Sequence, residues 1–175
     1  NMAQGVCAMS DIRGLGPDGQ PRDIAVTTEG AIKVSSALAA PRIPIPGIGT
    51  GAAYTSGDAF GAKFSFPAPA EGTIATVVFR DYDDEGLSKE IVLFNTEFTA
   101  TADNDPFAVS DVDLRNCVGV VSISTFYNFG NNQMGVATPA LYYKAPLNRL
   151  FGQVVTRGAD NIAVGSIPDI SLVVV

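Results

Sequence analysis

The chain has 175 residues, of which 46% are hydrophobic and 17% charged, and its net charge is −7 at neutral pH. This negative balance disfavours partners such as nucleic acid or an anionic membrane surface, because both attract clustered lysine and arginine. The longest apolar runs are far shorter than the roughly 20 residues of a membrane-spanning helix. The first thirty residues also lack the basic start and apolar run of a signal peptide, so none is expected.

Histidine is absent from the chain, which removes the commonest general base, metal ligand and catalytic-triad member. A zinc site would have to rely on two cysteines that lie far apart in sequence, Cys7 and Cys117, and this is weak evidence for such a site. We expect a free thiol at Cys117 and synthesis in a reducing cytoplasm. No glycine-rich phosphate-binding motif occurs. The sequence therefore predicts a protein that is not an enzyme and that holds no cofactor or metal.

Residues 1–53 are predicted to form an extended N-terminal arm. The segment has no aromatic residue, and its four acids balance its four bases, so the charge of −7 belongs to residues 54–175. Without aromatic side chains it buries little surface and is not expected to fold alone. Two apolar runs around Glu29-Gly30 indicate a small hairpin. The prolines of "PRIPIP" indicate a stiff, extended spacer.

The arm is also the predicted partner-binding element. Its hairpin would add a strand to the edge of a neighbouring sheet, and its stiff spacer would lose little entropy on binding. The residues expected to bind are Ile24, Val26, Ile32, Val34, Pro41, Arg42, Ile43, Pro44, Ile45 and Pro46.

Residues 54–175 are predicted to form an all-β body, an antiparallel β-sandwich or jelly roll. Its first strand follows the turn at Ser56-Gly57 and places four apolar side chains on one face by simple alternation. These four are Phe60, Ala62, Phe64 and Phe66. Further strands are predicted at residues 73–82, 89–95, 118–125, 140–145, 150–158 and 170–175. One short helix is expected within 104–117, with Ser110 as its N-cap.

Two acid-rich segments are candidate functional sites. In residues 81–90 three acids take positions 1, 3 and 5 of a calcium loop, but position 12 is Val92, where a bidentate carboxylate is required. The three acids are Asp81, Asp83 and Glu85. We interpret this segment as a solvated hairpin turn between two strands. The acids of residues 103–113 are interpreted as turn and helix-start residues rather than as a glycosidase pair.

An aromatic cluster in "STFYNFGNNQ" offers a second candidate surface. Phe126, Tyr127 and Phe129 lie beside asparagine and glycine, and an exposed loop of this kind supplies contact area for a sugar or a protein. The alternative is that the rings finish a strand and pack in the core.

Several stretches of the body, taken in order, resemble a family of tailed-bacteriophage virion proteins. The similar motifs are "YTSGD" at Tyr54–Asp58, "LFN" at Leu93–Asn95, the stretch from Phe98 to Phe107, "VGVV" at Val118–Val121 and "VTRGA" at Val155–Ala159. In the arm, "DIAVTTEGAIKV" is similar to N-terminal segments of phage head and tail accessory proteins.

This resemblance implies a non-enzymatic virion structural protein, a head decoration (cement) or head-fibre protein that stabilises the capsid lattice. The implied partners are the major capsid protein or other virion subunits. We expect a homo-oligomer, with a trimer as the specific hypothesis, made in the host cytoplasm and located in the virion. Two alternatives remain, a receptor- or carbohydrate-binding fibre or tail component that uses the aromatic loop, and a carboxylate-dependent enzyme.

Overall fold

The sandwich predicted for the body is confirmed by the computed structural model, in which two antiparallel sheets share one core. The structure describes short strands at residues 13–15, 21–23 and 38–39, and then residues 41–49 and 51–175. Two separate units are present, Asn1–Ser36 and Ala37–Val175.

The described residues form thirteen strands and one helix. In chain order they are β1 (Arg13–Leu15), β2 (Pro21–Asp23), β3 (Leu38–Ala39), β4 (Ile43–Pro44), β5 (Ala59–Pro67), β6 (Glu71–Asp81), β7 (Lys89–Phe94), α1 (Asp111–Leu114), β8 (Cys117–Ile123), β9 (Phe126–Asn128), β10 (Gln133–Ala137), β11 (Leu141–Lys144), β12 (Arg149–Thr156) and β13 (Asp169–Val174). One sheet has the order β5-β12-β7-β8. The other has the order β3-β13-β6-β10-β9, with β11 also beside β6 and β4 beside β13.

Strand β5 shows the predicted alternation with one irregularity. Phe60, Phe64 and Phe66 are buried, as expected for side chains on one face of a strand. Ala62 is only half-buried, because the pairing with β12 shifts register beside it. Gly61 allows this bulge, since its φ of +77° is a value that only glycine adopts easily.

The main core is built from the facing sides of both sheets. Phe60 of β5 lies across from Phe79 of β6, with their ring centroids 6.4 Å apart. Each fully buried aromatic or branched side chain stabilises the fold by roughly 1.5–3 kcal/mol. This core explains why a chain with few charges and ten phenylalanines forms a sandwich.

A second apolar cluster covers the outer face of β7. Val92 and Phe94 point away from the main core and are buried with Phe98, whose ring stacks on that of Phe94 at 4.0 Å. The segment around Phe107 completes this cover. Strand β7 is therefore buried on both faces, which is the reason for the unbroken apolar run "IVLF".

The predicted helix is confirmed as α1, a single turn that follows the N-cap Ser110. The Ser110 hydroxyl accepts a hydrogen bond from the Asp113 backbone N–H at 3.1 Å, and the acids of the first turn favour the helix N-terminus. None of the described helical residues forms a segment long and apolar enough to cross a membrane.

The hairpin predicted for residues 81–90 is wrong. Strands β6 and β7 lie in different sheets, so this segment carries the chain across the sandwich. The adjacent strands of each sheet are instead supplied from later in the sequence, because β6 pairs with β13 and β10 while β7 pairs with β12 and β8.

The N-terminal segment divides earlier than the predicted boundary after residue 53. The units separate after Ser36, and both β3 and β4 pair with β13. Within the smaller unit β1 and β2 form an antiparallel pair. The hairpin predicted around Glu29-Gly30 lies outside the described residues. So do four of the predicted binding residues, Ile24, Val26, Ile32 and Val34.

Candidate functional site

The proline-rich spacer lies along an edge of its own sandwich. Ile43 pairs with Ile170 of β13, and the Ile45 N–H donates to the Pro168 carbonyl at 2.9 Å. The Ile45 side chain is only 1% exposed. Two of the predicted partner-binding residues, Ile43 and Ile45, therefore pack on the core of the same chain, because their apolar side chains follow the inward face of this edge strand.

The other predicted residues of the spacer face outward. Pro41, Pro44 and Pro46 are exposed, and an edge strand tolerates proline because it needs no donor on its solvent side. Arg42 is also exposed along most of its side chain, while its head group reaches Asp169. The outward face of the spacer thus combines proline rings with one arginine.

Asp169 is the buried centre of a polar network that fastens the spacer. Its carboxylate accepts hydrogen bonds from Arg42 Nε at 3.0 Å, from Arg80 Nη1 at 2.8 Å and from the Tyr82 hydroxyl at 2.6 Å. Burial by itself raises the pKa of Asp169, but the donors from Tyr82, Arg42 and Arg80 outweigh it and hold the pKa below its ordinary value. The network therefore favours a charged carboxylate.

A second acid, Asp103, fastens the other end of the same segment. It accepts from the Gly49 N–H at 2.7 Å, the Gly61 N–H at 2.6 Å and the Tyr54 hydroxyl at 2.8 Å. Burial, followed by the hydrogen bond to Asp103, raises the pKa of Tyr54. Asp103 therefore serves as a structural anchor.

The "YTSGD" motif is explained by local turn geometry. The buried Asp58 accepts from the Thr55 N–H at 2.6 Å and returns its own N–H to the Thr55 carbonyl. Gly57 completes the turn with a φ of +104°. The motif thus starts β5 and holds Tyr54 in the core.

The aromatic loop divides between core and surface. Phe126 packs edge-on against Phe79, with centroids 6.1 Å apart, while Tyr127 and Phe129 are 61% and 64% exposed. The sequence alternatives therefore both apply, since β9 places Phe126 inward, while Tyr127 of β9 and Phe129 directly after it face solvent.

Beside Phe129 lies an open groove with a volume of about 240 Å³. It lies between the β9–β10 hairpin and the end of β6. Its lining residues are Arg80, Asp81, Tyr82, Phe129, Asn132, Gln133 and Met134. Arg80 and Tyr82 belong also to the Asp169 network, so the groove and the spacer share one wall. An exposed ring, amide side chains and an arginine together are typical of a recognition surface.

The hairpin that carries this groove is fixed by Asp84. Its carboxylate accepts from Asn128 Nδ2 at 2.9 Å and from Gln133 Nε2 at 2.5 Å. Gly86 makes the close approach of Gln133 feasible, since an added Cβ would lie 1.9 Å from the Gln133 side-chain oxygen. The exposed rings are thus held on an ordered support.

The remaining acids of the 81–90 segment are also structural anchors. Asp81 accepts from the N–H groups of Asp83 and Gly86, and Asp83 accepts from the Ala163 N–H at 2.5 Å. Burial first, and then the neighbouring carboxylates, raise the pKa of Glu85. Across the described part of the chain, no group of three or more acids, histidines or cysteines is arranged to hold a metal ion.

Cys117 carries a free thiol in a half-buried position. Burial raises the pKa of this thiol, and a higher pKa leaves less of the reactive thiolate at neutral pH. Its place against the second apolar cluster is that of a small hydrophobic residue.

Sequence reasoning missed the burial of five charged residues among those described, Asp58, Asp81, Lys89, Asp160 and Asp169. For two of them a signal was present, because Asp169 directly precedes the apolar run "ISLVVV" and Lys89 lies two residues before the apolar run "IVLF". A charge next to a fully buried strand requires a partner. The partner itself is set by tertiary structure.

In comparisons with known proteins, no family model, no curated protein and no solved structure matches this chain.

Proposed function

We propose that the chain is a non-enzymatic structural protein of a tailed-bacteriophage virion, which binds the capsid lattice as a decoration or cement protein. The proposal starts from the resemblance of the motifs at 54–159 to phage virion proteins. In the structure these motifs are turns, strands and anchors of a sandwich, which suits a protein whose role is mechanical.

The observation that carries the proposal is the double fastening of the spacer. Arg42 binds Asp169 at one end and Gly49 binds Asp103 at the other, while the chain before Ser36 forms a separate unit. A binding element that precedes this spacer is therefore joined to an ordered support. Force on that element would pass into the sheet through β13 rather than through a loose linker.

Charge supports the same arrangement. The unit Ala37–Val175 carries fourteen acids and eight bases, a net charge of −6, whereas residues 1–36 carry four acids and three bases, a net charge of −1. A nearly neutral segment lies against a protein lattice at little electrostatic cost, and the acidic body faces outward or toward a basic patch. Binding only to the assembled lattice would stabilise that lattice by mass action.

A co-sedimentation experiment tests the proposal. Shells assembled from the major capsid protein of the same phage are mixed with the full chain and with a variant that lacks residues 1–36. We expect the full chain to pellet with the shells and the shortened chain to stay in the supernatant. If the full chain does not bind shells, the decoration role is wrong; if both chains bind, the arm is not the binding element.

The groove beside Phe129 supports a second candidate, a receptor- or carbohydrate-binding fibre or tail component. The exposed ring of Phe129 lies in this groove with Asn132 and Gln133, so it offers a stacking face beside amide hydrogen-bonding groups, which is the chemistry that sugars require. Binding of the isolated protein to a glycan array, lost in Phe129→Ser, would favour this candidate.

A further inference from the structure

A lysine and an aspartate are enclosed together in the main core of the sandwich. Lys89, at the start of β7, is 1% exposed, and Asp160, in the loop after β12, is completely buried. Lys89 Nζ lies 2.6 Å from Asp160 Oδ1. The two residues are 71 positions apart in the chain, so the pair joins the first half of the body to its last loop.

Aromatic rings enclose the amine. Nζ lies 5.1 Å from the ring centroid of Phe60 and 5.7 Å from that of Phe79. The surroundings therefore exclude water from the pair. A buried ion pair of this kind loses the hydration of both ions, and the attraction between the ions offsets this loss only in part.

The hydrogen bonds around the pair match an amide as well as they match two ions. Nζ donates to the Leu87 carbonyl at 2.7 Å, and the Thr156 hydroxyl donates to Asp160 Oδ2. The Thr156 oxygen in turn accepts from the Gly158 N–H at 3.2 Å. An amide between Nζ and Cγ would keep one N–H for Leu87 and one carbonyl oxygen for Thr156.

We propose that Lys89 and Asp160 form an intramolecular isopeptide bond. A proton moves from the ammonium to Oδ1, which gives a neutral amine and a carboxylic acid. The amine lone pair attacks Cγ, a second proton passes from nitrogen to Oδ1, and the C–Oδ1 bond breaks to release one water. The ammonium and the carboxylate thus become an amide and water, and no oxidant, reductant or external reagent is consumed.

The fixed orientation of the amine and the carboxyl group, and the burial of both, favour this reaction. A well-oriented intramolecular reaction proceeds as if its partner were present at roughly 10⁵–10⁸ M. The product replaces two buried charges by a neutral amide whose hydrogen bonds are satisfied, so the desolvation cost of the pair disappears. The released water passes to solvent. The surrounding rings keep water away from the amide, so the bond is not hydrolysed.

Intact-mass spectrometry of the purified full chain tests the proposal directly. We expect the mass to lie below that of the sequence by one water. Proteolysis should then yield a branched peptide that contains both Lys89 and Asp160, with no cleavage after Lys89. A mass equal to that of the sequence would overturn the proposal.

A second dehydration must be distinguished, because Asp18-Gly19 is a sequence that can cyclise to a succinimide with the same mass loss. Fragmentation of the peptides decides between them. Dehydration at Asp18 with an unmodified Lys89 contradicts the isopeptide bond.

Variants complete the test. Lys89→Met and Asp160→Ala should each have the full mass of their own sequence, with no loss of water. This mass is measured on denatured protein, so the result does not depend on folding of the variant. Lys63→Met is the matched control, because Lys63 pairs with Glu97 on the surface, and it should keep the water loss. Thr156→Val should slow formation of the bond and leave a mixture of two masses. Retention of the mass deficit in Lys89→Met would overturn the assignment.

Discussion

Gly61 allows the edge segment around Ile45 to pack closely on β5. Gly61 combines a φ of +77° with a close approach, since an added Cβ would lie 2.6 Å from Ile45 and 2.8 Å from the Pro46 carbonyl. Gly130 has a φ of +94° with nothing within 4 Å. The two positions share the backbone demand and differ in packing.

We therefore expect Gly61→Ala to lower the free energy of unfolding by about 2–4 kcal/mol, as backbone strain and overpacking add. Gly130→Ala should lower it by only about 1–2 kcal/mol, from strain alone. Urea unfolding of both variants measures the difference. Equal losses would mean that the spacer does not pack against Gly61 as described.

Asp169 gives the spacer a defined pH dependence. Its folded pKa is held below the ordinary value of about 3.9, so its stabilising contribution is complete above that pH. The contribution is lost as the pH falls through the folded pKa, because the carboxyl must then be protonated in both states.

Asp169→Asn should thus destabilise the protein by about 1–3 kcal/mol at pH 7, since hydrogen bonds to a charged group are lost. The gap between wild type and variant should narrow as the pH falls below about 4. Glu85, whose pKa burial raises, acts in the opposite direction, but it is present in both proteins and cancels. A gap that stays constant down to pH 2 would contradict the role given to Asp169.

At the scale of elements, the spacer is part of the body. Ile45 contributes a fully buried side chain and β4 contributes an edge strand. Removal of residues 1–36 should therefore leave the melting temperature of the sandwich unchanged. Removal of residues 1–48 should lower it, because loss of a buried isoleucine alone costs about 2–5 kcal/mol.

Differential scanning calorimetry of the two shortened chains measures this contrast. Ile45→Ala in the full chain is the matched point variant and should reproduce part of the larger loss. Identical melting of both shortened chains would show that the spacer adds nothing to the sandwich.

The sequence predicted the elements whose pattern is local. Strand β5 followed from alternating phenylalanines, and α1 followed from Ser110 and the acids after it. Strand β10 was missed because its short sequence "QMGVA" has no such pattern. Gly135 lies in this strand because Ile123 packs where a Cβ would be. The prolines around β4 predict a stiff, extended spacer, and its edge pairing with β13 is visible only in the tertiary structure.

The candidate site was predictable to the same degree. The spacing of the aromatic residues does not predict which rings face solvent. The pairing of β9 with β10 determines which rings are exposed. Charged groups such as Lys89 and Asp160 meet only through tertiary structure, so local sequence spacing does not predict that they pair. The succession of strand patterns did predict the all-β class, and the charge count predicted the acidic body.

At the scale of the whole molecule, two surfaces compete for the function, the N-terminal arm and the exposed aromatic rings. Tyr127 and Phe129 are held by an ordered hairpin but bury little of their own area. Their replacement should therefore change binding without changing stability, since exposed side chains contribute little to the fold.

We expect the double variant Tyr127→Ser and Phe129→Ser to melt within about 1–2 °C of wild type, as for surface changes below about 0.5 kcal/mol. If the arm is the binding element, the variant should still pellet with capsid shells as the full chain does. Phe126→Ser is the matched control, because that ring packs on Phe79 and its loss should lower the melting temperature. Loss of shell binding in the double variant, with stability intact, would transfer the binding role from the arm to the aromatic groove.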